Sequence, residues 1–253
     1  MNRQAQAVVM LLLGGAVLKI SIGDLYLRYV KEGLRPFLIG AGLLLVVAAV
    51  MTLWHEYRMM PAAGHEDHDG HDAHEGHDAD DDGHGHGHNG PMVGWLIIAP
   101  VLGLVLVAPP AMGAFAAGQA GTALSTAAES DYPPLPPGDV VGITMLDYAS
   151  RAVFDKGKSL GDRKVKLVGF LVTGADGKQV LARMILSCCA ADARPIKVGF
   201  AGSGPTGLPD DAWVEIVGTY TDVTTKDAVN GEIIPYVTVK QWLPVDPPKQ
   251  QYE

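Results

Sequence analysis

Three apolar runs open the chain, and their length and continuity suit lipid better than a soluble core. From Ala5 to Gly23 the residues read AQAVVMLLLGGAVLKISIG. At 1.5 Å per residue this spans about 30 Å of hydrocarbon, provided Lys19 carries its ammonium to the interface. A secretory signal of similar length would end in a small-residue cleavage site. Here Asp24-Leu25-Tyr26-Leu27-Arg28 follows, so a retained helix is expected. Pro36 to Trp54 is apolar without interruption, with proline suited to a first helical turn and an interfacial tryptophan at its end. Met92 to Ala108 is shorter, contains Pro100 and closes on Pro109-Pro110, and reads as a kinked span rather than a hairpin arm.

The period then changes. Ala111 to Ser130 is small and polar, and Pro133-Pro134-Leu135-Pro136-Pro137 is stiff and extended, so 111–140 reads as a tether. Beyond residue 160 come short β-type runs, Lys164–Val172, Val180–Ser187, Ile196–Phe200, Trp213–Tyr220 and Tyr236–Trp242, separated by Gly and Pro clusters. With Gly169 relieving the first strand by a bulge, five strands fit a small closed barrel of the OB type, a sandwich being the alternative. The expected fold is thus a membrane α-helical N-terminal half with about three spanning helices and a small all-β C-terminal domain. Its expected divisions are a transmembrane region over 1–110 carrying a His/Asp-rich loop at 62–91, the linker 111–140, and the β domain 141–253.

Charge changes this picture in one place. The net charge is −9, yet Glu66, Asp67, Asp69, Asp72, Glu75, Asp78, Asp80, Asp81 and Asp82 all lie in that one loop, and removing these nine of the 28 acids leaves 19 against 19 bases. No basic field remains to follow a phosphate backbone, which argues against nucleic acid as a partner. Residues 65–78 of the loop read HEDHDGHDAHEGHD, where His65, His68, His71, His74 and His77 recur every third residue, each followed by Asp or Glu; His84, His86 and His88 follow in HGHGH. Closely spaced neutral imidazoles on a flexible strand can wrap zinc, nickel or copper, and the carboxylates concentrate cations nearby. A solvated low-complexity spacer is the plainer reading. The loop lacks a fixed ligand set with outer-shell support, so an ion buffer or sensor is expected rather than a tightly held cofactor.

The β domain contains no histidine, which removes Ser-His-Asp and Cys-His catalysis and makes an enzyme unexpected. It is also neither basic nor aromatic-rich, as nucleic-acid-binding barrels are. The two cysteines, Cys188 and Cys189, are adjacent. Two thiols and the Asp192 carboxylate could hold a soft metal, but on a strand adjacent cysteines point to opposite faces unless a bulge intervenes, so the sequence SCCAAD predicts a structural turn with a buried cysteine and Asp192 bonding nearby N–H groups.

The order of these features resembles the YcgQ-like bacterial family of permease subunits. The likeness rests on Tyr26 and Tyr29 in a short first loop, the His-rich loop after the second helix, and the blocks CCAADARPIKVGF and WVEIVGTY. It implies a membrane subunit beside a multi-pass permease, with a C-terminal domain of unknown function and a role in metal handling. The expected function is therefore a membrane accessory subunit of a permease in divalent-metal (zinc-type) handling. The alternative is an envelope-anchored interaction module whose loop is a spacer. The expected location is the bacterial cell membrane, multi-pass. No Lys or Arg occurs between Arg58 and Arg151, which favours an extracytoplasmic β domain with the N-terminus and His loop cytoplasmic; Arg28, Lys31 and Arg35 argue the other way.

Overall fold

Large apolar side chains stand exposed along the first two helices. A computed structural model describes residues 3–59, 103, 110–124, 132–174 and 176–253. It forms two units, one of Met1–Ile22 with Phe37–Pro109 and one of Gly23–Pro36 with Pro110–Glu253. In the first unit lie α1 (Arg3–Ile22) and most of α2 (Arg35–Met59). Within Glu32–Arg58 an 18-residue window reaches a mean hydropathy of 2.4, and Leu44, Met51 and Trp54 stand exposed along it. The two helices meet at glycines: a Cβ on Gly14 would lie 2.9 Å from the Gly42 carbonyl oxygen, and one on Gly42 would lie 2.9 Å from Leu18. Close approach through small residues is how helices associate where no hydrophobic drive separates them from lipid.

Three spans were expected, and among the described residues one helix, α2, is long and apolar enough to cross a membrane. Among the described residues the apolar part of α1 is the shorter Gln6–Ile22. The expected span at Met92–Ala108 lies outside the described residues, except for Gly103.

In the second unit the five strands expected from the sequence are present. They are preceded by a short β1 (Val140–Gly142) and by a helix that the β-type reading missed. Strands β2 (Lys164–Thr173), β3 (Gln179–Ile185), β4 (Arg194–Ala201), β5 (Trp213–Lys226) and β6 (Ile233–Pro244) close into a ring. β2 pairs antiparallel with both β3 and β5, β3 with β4, and β5 with β6, while β4 and β6 run parallel. The order β2-β3-β4-β6-β5-β2 is that of an OB-type barrel.

No bulge occurs at Gly169, because the β2–β5 register runs unbroken from Val165 to Phe170. The glycine serves a different need: there the edge of β2 passes from β1 to β3, and a Cβ would lie 2.6 Å from the Ala182 carbonyl oxygen. The register shifts fall instead in β5, at Val217/Gly218 and Tyr220/Thr224.

Helix α4 (Met145–Val153; α3 is described below) packs on the barrel core. Met145, Tyr148, Ala149 and Ala152 share its buried face at helical spacing, against Leu167, Leu181, Ile196, Ile216 and Val237. Thr144 caps it by accepting the Asp147 N–H at 3.0 Å, and the buried Tyr148 hydroxyl donates to the Tyr236 carbonyl at 2.6 Å. Burial pushes that phenol well above its ordinary pKa.

Part of the stretch expected as a tether is built into this unit. A short helix α3 (Ala114–Gln119) buries Ala114 and Ala117 against Phe170, Val172, Ala182 and Trp213, and Ala123 and Leu124 join the main core. The proline run is held by carbonyls, Pro133 accepting from Arg151 and Pro136 from Arg163. A run of small residues reads as a linker because each buries little area; here tertiary contacts supply the order.

A buried ion pair fastens this segment. Lys197 Nζ lies 2.9 Å from Asp227 Oδ2 and donates to the Ala120 carbonyl at 2.8 Å. The Asp227 carboxylate also accepts from the Thr122 and Val229 N–H groups, both at 2.9 Å. Burial alone would raise the Asp227 pKa, but the bonds from Lys197, Val229 and Thr122 outweigh it and hold the carboxyl below its usual range. The contribution is thus present above the unfolded pKa of about 4 and is lost as pH falls through the lower folded value. Asp227→Asn is expected to cost roughly 3–5 kcal/mol at neutral pH by leaving the ammonium buried without its counter-charge. In thermal melts of the purified chain the deficit should shrink below about pH 4; equal stability at neutral pH would contradict this account.

Candidate functional site

All eight expected ligands, His65, His68, His71, His74, His77, His84, His86 and His88, lie outside the described residues. The ninth histidine, His55, sits in the last turns of α2. The described residues bring another donor set together, at the turn after β3.

β3 ends at Ile185, and the chain bends through Ser187 and Cys188 into a single 3-10 turn, Ala190–Asp192. Asp192 folds back to accept the Ser187 N–H on Oδ1 at 3.0 Å and the Cys188 N–H on Oδ2 at 2.8 Å. This is the role the sequence suggests for it. The other side of the turn is held by the first loop. The Ala190 N–H donates to the Tyr29 carbonyl at 2.7 Å, the Lys31 N–H donates to the Cys188 carbonyl at 3.1 Å, and Val30 and Cys189 form an antiparallel bridge.

Two expectations about the cysteines are corrected. They do not diverge, since they lie beyond the strand and outside its alternation; their sulfurs are 3.7 Å apart. Nor is either buried, Cys188 being exposed and Cys189 half-buried. One donor atom from each of Cys188, Cys189 and Asp192 falls within 4.8 Å of the others. Hydrogen bonding to the Asp192 carboxylate, and then to the Cys189 sulfur, pushes the Cys188 thiol up to about 11. The same thiol, with the N–H groups of Cys188, Ser187 and Cys189, holds the Asp192 carboxyl below its usual range. The proximity of the pair was not legible in the sequence, because it depends on where β3 stops.

A second concavity is a groove of 860 Å³ lined by residues including Asp147, Arg151, Arg183 and Glu253. Its charges are occupied within the fold. Arg183 donates to the Val168 and Gln250 carbonyls, and Glu253 accepts the Met145 and Leu146 N–H groups. Burial pushes the Glu253 carboxyl up. These groups build the barrel's flank and leave little for a ligand.

Residues 150–253 match the family described as the DUF1980 C-terminal domain, a domain of unknown function. The match takes in the whole barrel and the CCAAD turn but less than half of the chain. No curated protein and no solved structure matches the chain.

The raised Cys188 thiol has a measurable consequence, because the thiolate is the nucleophile. Iodoacetamide should alkylate Cys188 slowly at neutral pH, and Asp192→Asn should accelerate it by removing the carboxylate that retains the proton. Mass spectrometry of the quenched reaction reads the rate; no acceleration would show that the carboxylate does not hold the thiol protonated.

Proposed function

We propose that the chain is a membrane-embedded accessory subunit of a multi-pass permease, working in the handling of a zinc-type divalent metal with the histidine loop as ion buffer or sensor. The observation that carries this reading is α2. Its large apolar side chains face outward, and it runs to Met59, directly ahead of a segment with eight histidines and nine carboxylates. An apolar helix beside a cation-attracting strand presents the strand at a membrane surface. The match of residues 150–253 to the DUF1980 C-terminal domain agrees with the resemblance to the YcgQ-like permease subunits.

The reading includes a topology. The first loop, Gly23–Pro36, and the β domain belong to one unit, joined through Tyr29, Val30 and Lys31 at the CCAAD turn. They therefore share one face of the membrane that α2 crosses, and the histidine loop begins on the other. To return, the chain crosses again between α2 and Pro110, where the apolar run Met92–Ala108 lies. The stretch without Lys or Arg before Arg151 favours the extracytoplasmic face for the domain, against the pull of Arg28, Lys31 and Arg35.

Two measurements test this reading. In isothermal titration of the detergent-purified chain, zinc or nickel should bind at more than one equivalent, and Ala at all eight loop histidines should abolish the multiple binding. Equal, weak binding by both proteins would leave the interaction module with a spacer loop as the reading. With Cys188 and Cys189 replaced by Ser, an impermeant maleimide on intact cells should label Glu32→Cys and Thr206→Cys together and Ala73→Cys only after lysis. Labelling of Ala73→Cys and Thr206→Cys from the same side would refute the shared-face topology, and labelling of Ala73→Cys alone from outside would invert it.

A further inference from the structure

The geometry points to a second ion site, on the β domain itself: Cys188, Cys189 and Asp192 form a two-sulfur, one-oxygen cradle for a single thiolate-seeking divalent ion of the zinc class. A tetrahedral ion bound at about 2.3 Å to each of two thiolates sets the sulfurs roughly 3.8 Å apart, and a carboxylate oxygen at about 2.1 Å completes an edge of roughly 3.6 Å to either sulfur. The two sulfurs are already 3.7 Å apart, and a carboxylate oxygen lies within 4.8 Å of both. The sulfur–sulfur edge of such a site is therefore already formed.

The backbone is also held for the purpose. Asp192 is pinned by the Ser187 and Cys188 N–H groups. The carbonyl of Cys188 and the N–H of Ala190, on either side of Cys189, are tied to Lys31 and Tyr29 of the first loop. A turn tied from both sides presents its donors at little ordering cost, which is what a small site on a loop otherwise lacks. Two thiolates select d10 ions over magnesium or calcium. Three protein donors with Cys188 exposed leave a fourth position open to water or to a second ligand, the arrangement of a site that exchanges its ion rather than locking it.

Binding is a proton exchange: the ion replaces the protons of both thiols, two protons go to solvent, and no electron moves. Because both thiols must give up their protons to the ion, affinity should fall as pH is lowered. The site stands on the turn alone and does not rest on the histidine loop, so either can fail without the other.

Cadmium separates them, since its thiolate charge-transfer absorption in the ultraviolet reports sulfur ligation and is silent to imidazole. The full chain, with all eight loop histidines replaced by Ala and kept reduced with a phosphine, is titrated with cadmium. The expected result is one equivalent bound, with the charge-transfer band, and two protons released into weak buffer. Cys188→Ser, at an exposed position where folding should be unaffected, should lose the band while keeping the parent's thermal melt. Asp192→Asn should keep the band and weaken binding roughly tenfold or more, given that even outer-shell partners cost 10–100-fold. A missing band in the histidine-free chain, or a band that survives Cys188→Ser unchanged, would overturn the site. Oxidation to a bond between the adjacent sulfurs, detected as a mass loss of two hydrogens under the reduced conditions used, would overturn it as well.

Discussion

Closure of the barrel through β2 is the constraint on which the second unit depends. β2 is hydrogen-bonded to β5 along one edge, while its other edge serves β1 and then β3. That exchange of partners brings β3 across β2 at Gly169, and only a residue without a side chain tolerates the Ala182 carbonyl so near. A closed ring leaves no open edge to pair with another chain. It also fixes where β3 runs out, and with that the position of the turn carrying Cys188, Cys189 and Asp192.

Around the ring, segments with little hydrophobic area of their own are held by a few buried polar contacts. Lys197 and Asp227 tie the backbone at Ala120 and Thr122 to β4 and to the β5–β6 connection. Arg183 gathers the Val168 and Gln250 carbonyls over the ring of Trp213. The first loop is attached in the same manner, by backbone bonds from Tyr29 and Lys31 to the CCAAD turn. Buried pairs of this kind contribute modest net stability, since desolvation offsets much of their attraction, but breaking one side is costly. Their effect is to specify where otherwise unremarkable peptide must lie.

The first-loop attachment gives the two proposed ion-binding features a common logic. One, the histidine loop, follows α2; the other, the thiol turn, sits beside the loop that precedes α2. On the proposed topology they would face opposite sides of the membrane, one with many weak imidazole ligands and one with a few strong thiolates.

Much of this was legible in the sequence. The apolar run from Pro36 to Trp54, the five β-type segments and the barrel class follow from local periodicity, which burial imposes residue by residue and which short windows record. The histidine loop is evident in composition alone, and its eight histidines lie outside the described residues. Helix α4 was missed although Met145, Tyr148, Ala149 and Ala152 carry its period, since a nine-residue helix amid β-type segments offers a short signal. The burial of Ala114, Ala117, Ala123 and Leu124 in what reads as a tether could not be foreseen, because alanine-rich peptide folds only against a surface that distant strands create. The meeting of Cys188 with Cys189 belongs to the same class. Alternation along a strand predicts that they diverge, and only the tertiary structure, by ending β3 at Ile185 and binding the turn to Tyr29 and Lys31, decides that their sulfurs converge.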